Sequence, residues 1–367
     1  MALSKLNNDS FDDTAVHGRR NLIINGAMQV AQRATATTTV SGAGVYDTID
    51  RLKLWEFTDG AYTSEQSTEA PDGFTTSVKL AVTTADTSLA SNQYACIAQL
   101  IEAQNLQHLG YGTNAAKTVT ISFYVRSNKT GIYCLALTKE DSTTYHHVKE
   151  FTINSADTWE RKTLTIAPDS NIKASGGAIA NDNGRGFRVF IGLAWGTDYH
   201  TTKDTWTTGN DFATSNQVNW MDSTSNNFYF TGFQVEVGDK ATPFEHRSFA
   251  DELHRCQRYY AVRENTAGSL KYYSQPLQAY NTTSVYGVIA DYPVTMRATP
   301  TVTQSGTFGA YIASSAGASM PSTIGNLFAT SHAWGSGGWT SGSGLVAGNA
   351  SVMYADTNAK LMADAEL

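Results

Sequence analysis

Charge is scarce in this chain. Only 16% of its 367 residues are Asp, Glu, Lys or Arg, against ~25% in ordinary globular proteins. A helical bundle needs charged outer faces, so the shortage argues against one. Basic clusters are missing as well. The nearest approaches are Arg19-Arg20 and the Arg255/Arg258 pair, each with Asp or Glu close by, in a chain of net charge −7. A phosphate backbone needs clustered Lys and Arg, so no nucleic-acid surface is expected. The three cysteines, Cys96, Cys134 and Cys256, are far apart and form no C-x-x-C pair. That spacing excludes a disulfide framework and a zinc site and predicts buried, reduced thiols. No run approaches the ~18 apolar residues of a membrane span. The first twenty residues lack the apolar core of a signal peptide. No membrane insertion is therefore expected, and synthesis in a reducing cytoplasm is. H-E-x-x-H, G-x-S-x-G, G-x-G-x-x-G and the phosphate-loop pattern are all missing, so no catalytic residue, metal or cofactor is predicted.

What fills the chain instead is Thr, Ser, Asn and Gly around alternating apolar runs. In Thr118–Arg126, Val119, Ile121, Phe123 and Val125 point one way, with Tyr124 the exception on the polar face. Period two means a half-buried strand. A turn at Ser127–Gly131 and a further run, Ile132–Thr138, read as the other half of a hairpin. Alternation returns around Trp159–Ile166, at Phe187–Trp195 with Trp195 on the core face, and at Tyr229–Val237. Turn-rich stretches separate the runs, as in a sandwich or jelly roll.

One helix interrupts the strands. Ser248 to Asp251 reads as a capping box, and Phe249, Leu253, Cys256 and Tyr260 form one stripe of a helix ending near Val262. Strands are expected again at Ser284–Ala290 and Tyr292–Met296, then ordered Gly/Ser-rich loops over 305–349 and a closing strand after Ala350. The predicted fold is all-β: a polar arm at 1–20, a jelly-roll β-sandwich domain at 21–247, a joint helix at 248–262 and a second β domain at 263–367.

Asn21-Leu-Ile-Ile-Asn-Gly26 resembles the opening strand of jelly-roll carbohydrate-binding modules, and Phe228–Gly238 their closing strand with its Glu and Gly. Ala27-Met28-Gln29 stands where those modules usually carry an acidic residue, so a structural calcium is left open. The order of Asn21–Arg33, Tyr46–Arg51, Ala241–Arg247, Glu252–Tyr260, Met296–Pro300 and Ala363–Leu367 resembles phage tail-fibre and virion appendage proteins. That resemblance implies a virion location, with release by lysis, and a non-catalytic role in host attachment. A homotrimer is expected because fibres are commonly three-fold and a loop-rich β chain leaves sheet edges to cover, and residues 1–20, polar and mixed in charge, are expected to order against other virion proteins. The alternatives are a capsid decoration or fibre-base protein that binds only virion partners, and a polysaccharide depolymerase.

A glycan surface needs aromatic rings for the C–H faces of sugars and polar side chains for their hydroxyls. Residues 195–220 are the candidate, with Trp206, Tyr199 and Trp220 among Asp204 and Asn210; Trp334 and Trp339 form a second. Trp206 is expected on an exposed loop. Packing at a sandwich edge or subunit interface is the alternative account of the same aromatics. Pro243 is expected to end the last strand of the first domain, and Gly26 to permit a turn. Arg51 and Arg247 are candidates to pin loops through charged hydrogen bonds. The acidic residues are scattered in loops, and His146-His147 point to opposite faces of a strand, one at the surface and one packed.

Overall fold

The computed structural model of the chain describes residues 20–266, 271–272, 274–282, 284–312, 327–340 and 345–367; the expected arm, residues 1–19 of it, lies outside them. Contacts divide the chain into a first unit running to Glu252, together with Leu367, and a second unit, Leu253–Glu366. Both are built mainly from strands, and every ladder between the described strands is antiparallel.

The first unit contains β1 (Thr38–Val40), β2 (Ala43–Val45), β3 (Lys53–Phe57), β4 (Ala61–Ser67), β5 (Ser77–Thr84), β6 (Tyr94–Glu102), β7 (Val119–Ser127), β8 (Gly131–Lys139), β9 (Tyr145–Ile153), β10 (Glu160–Ile166), β11 (Arg185–Trp195), β12 (Trp206–Thr207) and β13 (Asn227–Val237). A one-turn helix, α1 (Ser170–Lys173), is capped by the Asp169 carboxylate. The strands form two sheets, ordered β1-β4-β5-β13-β7-β10 and β12-β9-β8-β11-β6-β3-β2. This is a jelly-roll sandwich. Its core is filled by the alternating residues of both sheets, and Phe123 of the first sheet meets Phe151 of the second at 5.0 Å. The turn at 127–131 does not close a hairpin. β7 pairs with β10 and β13, whereas β8 pairs with β9 and β11. Alternation reveals a strand but not its partner, and here the chain crosses from one sheet to the other.

The Asn21–Gly26 motif is not a ladder strand. Asn25 and Met28 both take positive φ, so the chain turns repeatedly. Its role is to close the sandwich. The Asn21 amide donates to Phe233 O and its carbonyl accepts from Ile23 N and Val235 N. Gly26 is required for close approach rather than for a turn: a Cβ there would lie 2.1 Å from Phe233 O. Arg247 donates to the Ile23 and Asn21 carbonyls and pairs with Glu252 at 2.8 Å, while the other Glu252 oxygen accepts from Asn25 N. Arg51, 1% exposed, donates to Leu100 O. β13 ends at Val237 before Gly238 at φ 128°, so Pro243 does not terminate it.

Helix α2 spans Phe249–Gln257 and starts as its cap predicts, with Asp251 N bonded to the Ser248 hydroxyl. It stops five residues before Val262, because Tyr260 already begins a strand. Its inward residues are Glu252 and Cys256, while Phe249 is 57% exposed. The charged residue is buried because it holds Arg247 and Asn25 N, a demand that an apolar stripe does not reveal.

The second unit holds β14 (Tyr260–Glu264), β15 (Lys271–Tyr272), β16 (Leu277–Ala279), β17 (Ser284–Asp291), β18 (Thr301–Ser305), β19 (Phe308–Ile312), β20 (Leu327–Ala329), β21 (Ala333–Thr340), β22 (Ala350–Ala355) and β23 (Lys360–Asp364). One sheet is β14-β23-β18; the other is β15-β22-β16-β17-β21-β20, with β19 also on β22. Tyr292–Met296 is irregular rather than a strand, and the described part of 305–349 is largely strand rather than loop.

Candidate functional site

The second sheet of the sandwich has two apolar faces. Ala95, Ile97, Leu135, Leu137, Val189 and Ile191 face the core. The off-phase residues Cys96, Ala98, Cys134, Ala136, Val148 and Phe190 face outward into a separate cluster. The excursion from Gly196 to Asn219 covers part of that outer face. It is held there by polar bonds: Gly196 N to Gln93 O, Thr214 Oγ1 to the Glu150 carboxylate, and the Gln217 amide to Cys134 N and Val218 O.

A β-bulge decides what this face carries. In β11, Gly192 pairs with Cys96, but Ala194 pairs with Ala95, so one residue of register is lost. The bulge reverses the parity of the strand. Trp195, in phase by sequence with Phe187 and Leu193, is thereby turned to the outer face, where it is 5% exposed. Its ring stacks on Tyr94 (5.1 Å between centroids, planes at 10°) and on Phe212 (4.9 Å, 10°). Tyr199 meets both Tyr94 and Trp195 edge-on, and its hydroxyl donates to Asn92 O.

Around this ring array lies a cavity of about 250 Å³, lined by Trp55, Tyr94, Arg188, Phe190, Trp195, Tyr199, Asn210 and Phe212. Trp55, Tyr94 and Tyr199 are half-buried, and Asn210 is exposed at the rim. Burial pushes the Tyr94 hydroxyl up to about 12 and the Cys96 thiol beneath it higher still, so both stay neutral. Arg188 pairs with Glu140, and its guanidinium lies 5.3 Å from the Phe190 ring. The volume is just under the ~300 Å³ at which small-molecule pockets begin.

Of the residues picked out by sequence, Tyr199 and Asn210 come together here. Trp206 and Asp204 line a different cavity, of about 510 Å³, with His147, Lys149, Thr165 and Asp169. Trp206 is not on an exposed loop. It forms strand β12 against His147, is 6% exposed, and donates from Nε1 to Ala167 O at 2.9 Å. Its polar neighbours concealed a packed edge strand. Asp204 is exposed, takes φ 63° and pairs with Lys149 at 2.5 Å. Trp220 is fully buried, with its Nε1 bonded to Asn227 O and its ring against Tyr62. Trp334 is 3% exposed in the second unit, edge-on to Tyr292. Trp339 lies on β21, and its side chain is outside the described residues. His146 and His147 do face opposite ways, toward Phe212 and Trp206, but both are buried. Burial holds both imidazoles down at about 4.

Trp55, Tyr94, Arg188, Phe190 and Phe212 escaped the sequence reading. One signal was present: Phe190 interrupts the off-phase side of an alternating strand, where a polar residue belongs if that face is solvated. Among the described residues, no cluster of three His, Cys, Asp or Glu side chains could hold a metal ion.

No family model matches the chain, and no curated protein matches it. Solved structures with a similar fold include a candidate sugar-binding protein from Bacteroides thetaiotaomicron, at 10% identity and TM-score 0.32 over 60% of this chain and 100% of that one. The xylan-binding CBM22-2 domain of Paenibacillus barcinonensis Xyn10C is 16% identical, at TM-score 0.28 over 59% and 99%. The enzymatically active domain of bacteriophage CBA120 tailspike protein 4 is 11% identical, at TM-score 0.31 over 59% of this chain but only 21% of that one. At such TM-scores these likenesses carry no argument about function; the all-β sandwich rests on the ladders described above.

Proposed function

We propose that the first unit binds carbohydrate, without catalysis, in the aromatic cavity on the outer face of its second sheet. The observation that carries this is the ring array itself: Tyr94, Trp195 and Phe212 stacked in line, with Trp55 and Tyr199 beside them. Sugar C–H faces pack on such rings, while Arg188 and Asn210 offer hydrogen bonds to hydroxyls. Binding rather than hydrolysis is supported by the lining, which holds no carboxylate among the described residues, whereas glycosidic cleavage uses two. The test is a glycan array followed by calorimetry with Trp55→Ala and Tyr199→Ala. Each should weaken binding by roughly ten- to thirty-fold, or 1.4–2 kcal/mol, while shifting the melt little, since both side chains are half-buried. Binding that survives both substitutions rules the cavity out, and release of reducing sugar would make the protein a depolymerase.

The same reading places the chain on a phage particle as a homotrimeric host-attachment appendage, anchored to other virion proteins through residues 1–20. Its support is the order of sequence motifs. Light scattering that gives a monomer at micromolar concentration counts against the trimer. Assembly of a 1–20 deletion onto particles counts against the anchor. A second reading, a decoration or fibre-base protein that binds only virion partners, draws on the second unit, where Tyr280, Tyr286, Val288 and Val346 are exposed. A blank glycan array with intact particle assembly would favour it.

A further inference from the structure

We propose that the cavity selects a glycan bearing a carboxylate, such as a uronic-acid residue, and that Arg188 is the side chain that reads it. This rests on the carbohydrate reading above. Arg188 is the one charged side chain lining the cavity among the described residues. It stands on the outer face of β11 between Phe187 and Val189, which face the core. Its guanidinium carbon is held 5.3 Å from the Phe190 ring and its Nε is turned to Glu140.

The local charge does not balance. Arg185 Nε lies 3.3 Å from the second Glu140 oxygen, so two guanidinium groups share one carboxylate. Together they carry one positive charge more than Glu140 offsets. Burial pushes the Arg188 guanidinium down from its usual range, because a partly dehydrated cation lacks full compensation. The other carboxylates near this face do not line the cavity. Asp198 accepts from the Ser91 hydroxyl at 3.0 Å, and Asp211 acts on His146. Among the described residues no hydrogen bond is made from either Arg188 Nη atom, so the outer edge of the guanidinium keeps its donors for a ligand. Such an edge matches a carboxylate through two parallel N–H···O bonds, which a neutral hydroxymethyl group cannot accept as a charged pair. With aromatic rings excluding water on the other sides, that pair acts in a lower dielectric than at an open surface.

The test compares oligogalacturonate with the same oligomer after carboxyl reduction, by calorimetry on the full chain. The acidic oligomer should bind at least about ten-fold more tightly, as one charge-assisted pair supplies, and the preference should shrink as salt rises. Arg188→Gln should remove the preference, weakening the acidic oligomer at least about ten-fold more than the reduced one, which loses only a neutral hydrogen bond. Arg188→Lys should keep part of it, and Arg185→Gln should reduce it without abolishing it, because Glu140 then faces Arg188 alone. Equal affinity for the two oligomers in the parent overturns the proposal and leaves carbohydrate binding standing. A preference that survives Arg188→Gln in a protein with a parental melt overturns it as well. Should Arg188→Gln fail to fold, the Arg188→Lys and salt arms on folded protein decide. Failure of both oligomers, and of a glycan array, to bind at all removes the carbohydrate reading together with this one.

Discussion

At the scale of single residues, two tryptophans exchange the roles that their neighbours suggest. Trp206, flanked by Lys203-Asp204-Thr205 and Thr207-Thr208-Gly209, is core. Its ring fills the sandwich edge between Tyr111 and His147. Trp206→Ala should therefore cost about 3–5 kcal/mol of stability, read as an early melt, with the parent's binding kept below that melt. Trp195 stands under the ligand cavity, so Trp195→Ala should lose glycan binding as well as stability. A parental melt for Trp206→Ala would place it back at the surface. His146 and His147 make a pH prediction. Their imidazoles titrate near 4 in the folded chain, because burial penalises the cation, but near ~6.5 when unfolded. Between those values the unfolded chain binds protons that the native chain does not, so stability rises with pH. The histidine contribution should be constant above about pH 6.5 and fall as pH drops toward 4, each imidazole contributing up to one proton to the slope. Melts across that window check it, and His146→Gln should reduce the slope. A melting temperature that does not change between pH 6.5 and 4.5 would refute the burial of both rings.

At the scale of elements, the strand positions are legible and their partners are not. The alternation in Val119–Val125 located β7, but a hairpin with β8 was the wrong neighbour. Both strands bury full-length faces in a sandwich, and the turn between them looks the same whether it stays in one sheet or crosses to the other. The bulge in β11 is harder still to foresee. Phe187 to Trp195 alternates without a break on paper, and only the pairing with β6 reveals the slip at Gly192–Ala194. Gly192 allows it: a Cβ there would lie 2.4 Å from Trp195 Nε1 and 3.1 Å from Gln217 Oε1. Gly192→Ala should push the Trp195 ring out of its stack and weaken glycan binding, with a smaller effect on the melt than Trp195→Ala. Unchanged affinity would show that the ring tolerates the shift.

At the scale of the molecule, the first unit is closed by groups on either side of residue 247. Glu252 accepts from both Asn25 N and Arg247, so a fragment ending at 247 leaves Asn25 N without its acceptor and the buried guanidinium with Glu245 and two backbone carbonyls but one carboxylate fewer. Fragment 20–257 should therefore melt higher than fragment 20–247, by roughly 2–3 kcal/mol of stability. Glu252→Ala in the full chain should show a loss of the same order. Equal melts for the two fragments would mean that the clamp is dispensable.

The sequence by itself determined the all-β class, the positions of β7, β8, β10, β11 and β13, and the start of helix α2. Each depends on residues within a few positions of one another: period-two alternation, a Ser-to-Asp cap, and too little charge to solvate a bundle. It also held the Arg51 and Arg247 contacts as candidates, since a guanidinium among apolar residues must find acceptors. Only the tertiary structure decided the site. The cavity draws on Trp55, Tyr94, Arg188 and Tyr199, which come from three strands and a loop far apart in the chain. A bulge of one residue turned Trp195 from the core to join them. Side-chain direction is local, but the ladder that sets its phase is a pairing between distant segments, and no periodicity within one strand records it.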